Sequence, residues 1–153
     1  MTQEEKDIFY MHEALAEAYE AAELDEVPVG AIVTVRDEIV SRGKNLKENE
    51  RCAVCHAEIS AITDACRRMR GWRLPESTLY VTLEPCPMCA GAILNARIER
   101  VVFGTPDPKS GAFGSVLDLN DFPFNHHPAV TGGVCREECS QILTAYFKNK
   151  RAK

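Results

Sequence analysis

The stretch Thr78–Ala96, TLYVTLEPCPMCAGAILNA, joins two predicted elements of secondary structure with only a few residues between them. Thr78–Leu83 is short and apolar, which predicts a buried strand. Pro87 stands where the first residue of a helix is expected, and the alanine-rich run after it predicts a helix that ends at Ala96. A strand that passes almost directly into a helix predicts a sheet with that helix packed on it.

The rest of the chain supplies three more predicted helices, at residues 4–23, 56–69 and 136–148, and four more predicted strands, at residues 28–35, 39–42, 100–103 and 129–131. The alternation of these elements predicts the α/β class, with a five-stranded sheet covered by helices. The connection at residues 104–128 is too long for a simple link. Its phenylalanines favour an ordered binding loop, because aromatic residues are uncommon in disordered segments.

Composition and charge narrow the class of protein. The chain has 153 residues, 45% of them hydrophobic, and no apolar run long enough to cross a membrane, so we expect one domain over residues 1–153 and no membrane partner. No signal peptide is visible, which favours the cytoplasm.

The net charge is -5, but residues 1–26 hold nine acids against Lys6, so the remainder has a net charge of +3. Basic residues cluster at 67–73 and 148–153, either as solvated helix ends or as a surface for phosphates.

The seven cysteines need an explanation, because an odd number without an export signal favours reduced thiols. Cys66, Cys135 and Cys139 lie in predicted helices or at their ends without a predicted metal-binding partner, so we interpret them as packing residues. Cys86 and Cys89 are spaced to offer two sulfurs to one ion, at a helix start that lowers the pKa of a thiol.

His56 begins another predicted helix and would supply a third ligand, which leaves the fourth position of a tetrahedral zinc site open. Glu58, two residues later, would reach a water in that position and move its proton. A zinc ion makes hydroxide available at neutral pH. The pattern therefore indicates hydrolytic attack on an sp² carbon with loss of an amine, as in zinc deaminases.

These motifs resemble the cytidine deaminase-like superfamily, and within it the bacterial tRNA adenosine deaminases. The similar stretches cover most of residues 8–147: Val27–Ala31, Asn45, His56–Glu58, Trp72–Leu74, Leu79–Asn95, Arg100–Gly104, Asp107–Lys109, Gly114–Ser115 and Phe124–His126. The His-x-Glu and Pro-Cys-x-x-Cys motifs are specific for the superfamily. The assignment to the tRNA branch depends on the more scattered matches.

The resemblance implies a three-layer α-β-α fold with a mixed five-stranded sheet, a homodimer, and one zinc ion per subunit. It implies deamination of adenosine to inosine at the wobble position of a tRNA anticodon. The ligands would be His56, Cys86 and Cys89, with Glu58 as the catalytic proton shuttle. The implied substrate contacts are Asn45 to the flipped base, Val29, Gly30, Ala57 and Glu84 around the pocket, Asp107 and Asn125 to flanking nucleotides, and Lys148 and Arg151 to the RNA backbone.

One segment departs from the family pattern. Cys52-Ala53-Val54-Cys55-His56 matches the attachment motif of a c-type haem, but without an export signal we expect no haem. A closed four-cysteine zinc site with Cys86 and Cys89 is a second alternative, although it leaves Glu58 without a purpose. We expect Cys52 and Cys55 to be loop thiols prone to oxidation.

Other functions also stay open on the sequence alone. Within the superfamily, the substrate could be free guanine, cytosine or a nucleoside instead of tRNA. In a different class, the chain could be a non-catalytic zinc module that binds RNA or protein. A carboxylate beside an open metal position favours the enzyme.

Overall fold

A computed structural model describes residues 1–152, with the side chain of Ala152 left undescribed, and Lys153 of the basic C-terminal cluster lies outside those residues. Residues 1–152 form four α-helices, five strands and a short 3-10 helix. In chain order they are α1 (Gln3–Glu23), β1 (Gly30–Val35), β2 (Glu38–Lys44), α2 (Ala57–Met69), β3 (Ser77–Leu83), α3 (Pro87–Ala96), β4 (Arg100–Thr105), the 3-10 helix (Leu119–Asp121), β5 (Ala129–Gly132) and α4 (Arg136–Ala152).

The strands form one mixed sheet in the order β2-β1-β3-β4-β5. β1 is antiparallel to both β2 and β3, whereas β3, β4 and β5 are mutually parallel. The parallel step from β3 to β4 is made through α3, because parallel neighbours need a crossover. The carboxyl ends of β2, β3 and β4 therefore meet the amino end of β1 at one edge of the sheet.

Each face of the sheet is covered by a pair of helices. Side chains of α2 and α3 pack with Ala31, Val81 and Val101 into one buried cluster, and those of α1 and α4 pack with Ile32, Tyr80 and Val102 into another. Neighbouring residues of a strand alternate between these clusters, as the pleat requires. The prediction of a three-layer α-β-α fold around a mixed five-stranded sheet is confirmed.

Most element boundaries differ by a few residues from those predicted, and two of the differences are informative. β1 begins at Gly30, not at residue 28, because Pro28 has no N–H to donate and Val29 N bonds locally to Val27 O at 2.8 Å. α4 continues past residue 148 to Ala152. None of the helices within residues 1–152 is both long and apolar enough to cross a membrane.

A buried ion pair ties α1 to the sheet. Asp7 of α1 accepts two hydrogen bonds of 2.7 Å from Arg100 at the start of β4, and a third of 2.9 Å from the hydroxyl of Tyr80 on β3. Burial alone would raise the pKa of Asp7, but these donors outweigh it and lower the pKa below its ordinary value. The arrangement is that of a fully paired structural carboxylate.

Candidate active site

The shared edge of the sheet brings five separate segments together: the approach to β1, the exits of β2, β3 and β4, and the start of α2. They enclose a cavity of about 230 Å³. Crevices outside the carboxyl ends of parallel strands are where α/β proteins usually bind ligands. The cavity is lined by Glu26, Val27, Val29, Asn45, Lys47, Glu48, His56, Ala57, Glu58, Leu83, Glu84, Cys86, Asp107 and Ser110.

Two helix starts present the predicted metal ligands. His56 is the residue immediately before α2, Cys86 is the residue immediately before α3, and Cys89 lies in the first turn of α3. The Nδ1 atom of His56 is 3.6 Å from Sγ of Cys86 and 3.5 Å from Sγ of Cys89. Nitrogen and sulfur ligands of tetrahedral zinc stand about 3.5 Å apart, given the usual zinc–ligand bond lengths. The three side chains therefore fit a zinc ion with one position left for a non-protein ligand.

The two thiols of this cluster are not equivalent. A hydrogen bond from the Cys89 thiol, together with His56, lowers the pKa of Cys86 to about 4 despite the burial of its sulfur. The pKa of Cys89 is raised, first by that same hydrogen bond to Cys86 and then by burial. The pKa of His56 is raised by its hydrogen bond with Cys86. Cys86 is thus held as a thiolate, the form in which sulfur binds metals.

Glu58 lies in the first turn of α2 and is only 4% exposed. Burial raises the pKa of its carboxyl group to about 7, against the opposing effects of its backbone N–H, His56 and Cys89. A carboxyl group with a pKa near neutrality both accepts and donates a proton readily. Its position on the cavity wall beside the ligand cluster suits a general acid–base.

Eight of the predicted site residues line the cavity: Val29, Asn45, His56, Ala57, Glu58, Glu84, Cys86 and Asp107. Asn45 is 7% exposed, and its side chain also supports the loop that follows β2. It donates from Nδ2 to Val27 O at 3.3 Å, and Oδ1 accepts from Lys47 N at 3.4 Å. Both contacts are long, so the amide can exchange them for stronger partners in the cavity.

The carboxylate of Glu84 holds the loop after β4 in place. It accepts hydrogen bonds from the backbone N–H groups of Asp107, Phe113 and Ser115, and from the Ser115 hydroxyl. Burial alone would raise the pKa of Glu84, but these donors lower it. A Cβ at Gly111 would meet that carboxylate at 2.3 Å, so a larger residue there would push Glu84 out of these hydrogen bonds.

Four predicted substrate contacts lie elsewhere than on the cavity wall. Gly30 faces α1, where a Cβ would meet Ala14 O at 2.1 Å, so it permits close packing of helix and strand. Asn125 is exposed in the loop between β4 and β5. Lys148 and Arg151 are exposed on α4, and Arg151 lines a second, shallower cavity with Lys109 and Phe147.

Sequence reasoning missed several residues of the wall, of which Glu26 is the most informative. It is 1% exposed and accepts from Glu48 N at 3.1 Å and from both nitrogens of Asn49, at 2.7 and 2.6 Å. Glu26 thereby fixes the loop that carries Asn45 and Lys47. In the sequence it is the last of the nine acids within residues 1–26, so nothing distinguishes it from the others except its place before Val27.

Two expectations about cysteines are only partly correct. Cys52 and Cys55 lie in the loop, as expected, but they are joined in a disulfide instead of being reduced thiols, because the tight turn brings their Cα atoms to 5.4 Å, within bonding range. This pairing also leaves no four-cysteine site with Cys86 and Cys89. Cys135 directly precedes α4 and packs against the cluster between α1 and α4, as expected, but its sulfur also lies 4.0 Å from His12, a partner 123 residues away along the chain. Cys139 is fully buried and packs as expected.

The fold, the cavity and the ligand set define a zinc-dependent hydrolytic deaminase. Residues 4–105 match the cytidine and deoxycytidylate deaminase zinc-binding region, and the chain belongs to that family. The match to a zinc-binding region confirms the prediction that the cofactor is zinc.

Individual relatives of the chain have more specific names than the family as a whole. The chain is 48% identical to the tRNA-specific adenosine deaminase of Bacillus subtilis over 100% of its own length and 94% of the relative's. It is 47% identical to the tRNA-specific adenosine deaminase of Haemophilus influenzae, covering 92% of this chain and 83% of the relative. A solved structure from a study of A-to-I editing by tRNA:A34 deaminases is 42% identical, with a TM-score of 0.86 over 88% of this chain and 99% of that one.

Proposed function

We propose that this protein hydrolytically deaminates adenosine to inosine at the wobble position of a tRNA anticodon. The single observation that carries the reaction class is the buried carboxyl group of Glu58, on the wall of the same cavity as His56 and Cys86 and beside the cluster that these two form with Cys89. The likeness along the whole chain to tRNA-specific adenosine deaminases supports the choice of substrate. We propose that residues 1–153 act as a single domain.

The ligands of one zinc ion per chain are His56, Cys86 and Cys89 in this proposal. Bound zinc would supply Lewis-acid activation of the attacking water. Glu58 accepts a proton as the water oxygen adds to C6 of adenine, and passes it to the ring nitrogen. Glu58 next takes the proton of the added hydroxyl group and delivers it to the amino group. The bond from C6 to the amino nitrogen then breaks, ammonia leaves, and the oxygen remains on C6 as the carbonyl of inosine.

The target base occupies the 230 Å³ cavity in this proposal. Asn45 hydrogen-bonds its edge, and the side chain of Val29 and the backbone near Ala57 and Glu84 surround it. Gly30 acts indirectly, by letting α1 support the start of β1. An anticodon loop is a suitable substrate, because an unpaired base is extruded at little unstacking cost.

Contacts outside the cavity recognise the RNA around the target base. Phe122 and Phe124 are exposed beside Asn125, with ring centroids 6.2 Å apart, and offer surfaces on which flanking bases stack. Asp107 lies where the same loop meets the cavity. Lys148 and Arg151 on α4 meet the phosphate backbone, so binding is expected to weaken as salt rises.

We also propose a cytoplasmic homodimer. Exposed apolar side chains in and around α2, those of Val54, Met69 and Trp72, support a protein partner on that side of the sheet. Sedimentation of the zinc-loaded protein tests the dimer, and a monomer at micromolar concentration would contradict it.

Nucleoside mass spectrometry tests the activity. The protein is incubated with an anticodon stem-loop that carries adenosine at the wobble position, and in parallel with free adenosine and free guanine. We expect inosine from the stem-loop and none from free adenosine. Xanthine from guanine without inosine from RNA would replace the proposed substrate, and no product at all would favour a non-catalytic zinc module.

A further inference from the structure

A second cluster of metal-binding side chains lies on the other face of the sheet from the cavity. His12 comes from α1, Cys135 directly precedes α4, and Glu138 lies in the first turn of α4. The Nε2 atom of His12 is 3.2 Å from both carboxylate oxygens of Glu138 and 4.0 Å from Sγ of Cys135. One atom of each side chain lies within 4.8 Å of the others.

These distances are close to those around a tetrahedral zinc ion. The usual bond lengths place nitrogen and oxygen ligands about 3.4 Å apart, and nitrogen and sulfur about 3.5 Å apart. The His12–Glu138 distance already fits, and the sulfur of Cys135 needs to approach the nitrogen of His12 by about half an ångström. The side chains of His12 and Glu138 are about half exposed, so both have room to rotate toward an ion.

The ligand types select among cations. Mg²⁺ and Ca²⁺ prefer sites made wholly of oxygen ligands, whereas imidazole with thiolate favours zinc and its neighbours in the transition series. The site is separated from Glu58 and the substrate cavity by the sheet. An ion there would join α1 to the start of α4 without taking part in the reaction.

We propose that His12, Cys135 and Glu138 bind a second zinc ion, with water in the fourth position, and that this ion fastens α4 to α1. The cluster unites residues separated by more than 120 positions, so its formation depends on the docking of α4. The proposal does not depend on the identity of the deaminated substrate.

Zinc content per chain is the first test. The full-length protein is loaded with excess zinc in the absence of thiol reductant, desalted, and measured by elemental analysis. We expect two zinc ions per chain in the wild type and one in Cys135→Ser or His12→Ala. The matched control is Cys66→Ser, which removes a half-buried thiol from α2 and should keep two. One ion in the wild type, or two in Cys135→Ser, would overturn the proposal.

Cobalt(II) titration gives an independent readout. Thiolate-to-cobalt absorption should rise in two phases for the wild type and in one phase for Cys135→Ser, while deaminase activity is the same in both. A variant lacking both Cys52 and Cys55 should retain two phases, since their disulfide is not a ligand. If Cys135→Ser does not fold, His12→Ala decides the question, and two unchanged phases in that variant would refute the second site.

Discussion

Two carboxylates are buried on opposite faces of the same sheet, and their surroundings differ in kind. Asp7 is held by Arg100 and Tyr80, and its pKa is lowered despite burial. Glu58 is equally enclosed, but burial dominates and raises its pKa to about 7. Complete pairing makes a carboxylate structural, whereas incomplete compensation leaves a proton free to move.

The largest expected effect is on kcat after mutation of Glu58, and it distinguishes the catalytic role proposed for Glu58 from the structural role of Asp7. Glu58→Gln should lower kcat for inosine formation by a factor of about 10² to 10⁴, because the amide cannot transfer the proton. Its zinc content and free energy of unfolding should not fall, since the change removes a buried charge that is poorly compensated. Activity, elemental analysis and urea unfolding measure the three properties. Loss of zinc would make Glu58 a ligand and end its proposed role.

Asp7→Asn should lower stability and leave turnover unchanged, which is the opposite of the result expected for Glu58→Gln. Removal of the charge leaves Arg100 without its partner and should lower the free energy of unfolding by about 3 kcal/mol. Turnover per folded molecule should be unchanged. Urea unfolding with parallel activity assays measures both. Lys6→Ala, which breaks the exposed ion pair with Asp37, is the matched control and should change stability little. A loss of kcat in Asp7→Asn would break the comparison.

The pH dependence of that stability difference is a sharper version of the same test. The folded-state pKa of Asp7 is lowered, and its unfolded value is about 3.9. The ion pair therefore stabilises the fold fully above pH of about 5 and is lost as pH falls through the lowered pKa. The difference between wild type and Asp7→Asn should be constant near neutrality and shrink below pH of about 4. A difference that grows on acidification would contradict this sign.

A smaller effect is expected at Glu84, which lies at the cavity but is paired like Asp7. Glu84→Gln should lower the free energy of unfolding by about 2 kcal/mol, because charged hydrogen bonds to the loop are lost. KM should rise while kcat changes less, since Asp107 moves but Glu58 does not. Steady-state kinetics with the stem-loop measures the two constants. A fall in kcat as deep as that of Glu58→Gln would show that position, not pairing, determines the role.

The sequence predicts those parts of the molecule that have local signals. The strand and helix of Thr78–Ala96 are recognisable because Pro87 and the apolar run act within a few residues. The proposed ligands His56, Cys86 and Cys89 are recognisable because metal binding restricts spacing and residue type. The element order then places both helix starts at one edge of the sheet.

Contacts between residues that lie far apart in the chain could not be predicted from the sequence. Cys135 gains His12 as a neighbour only when α4 docks on α1, and Glu26 becomes a support of the cavity only when residues 48 and 49 fold over it. Gly30 lines the pocket in the prediction but packs against Ala14 in the structure, because only the fold reveals which neighbour comes closest.

The cavity wall has a consequence for biosynthesis. Its segments are spread from Glu26 to Ser110, so the chain must be translated well past its midpoint before the wall exists. Contacts between such distant segments form slowly, since each closes a long loop. A nascent chain on the ribosome therefore passes through a period in which the ligand residues are exposed and the base pocket is absent. Premature capture of RNA in that pocket is excluded by the order of synthesis.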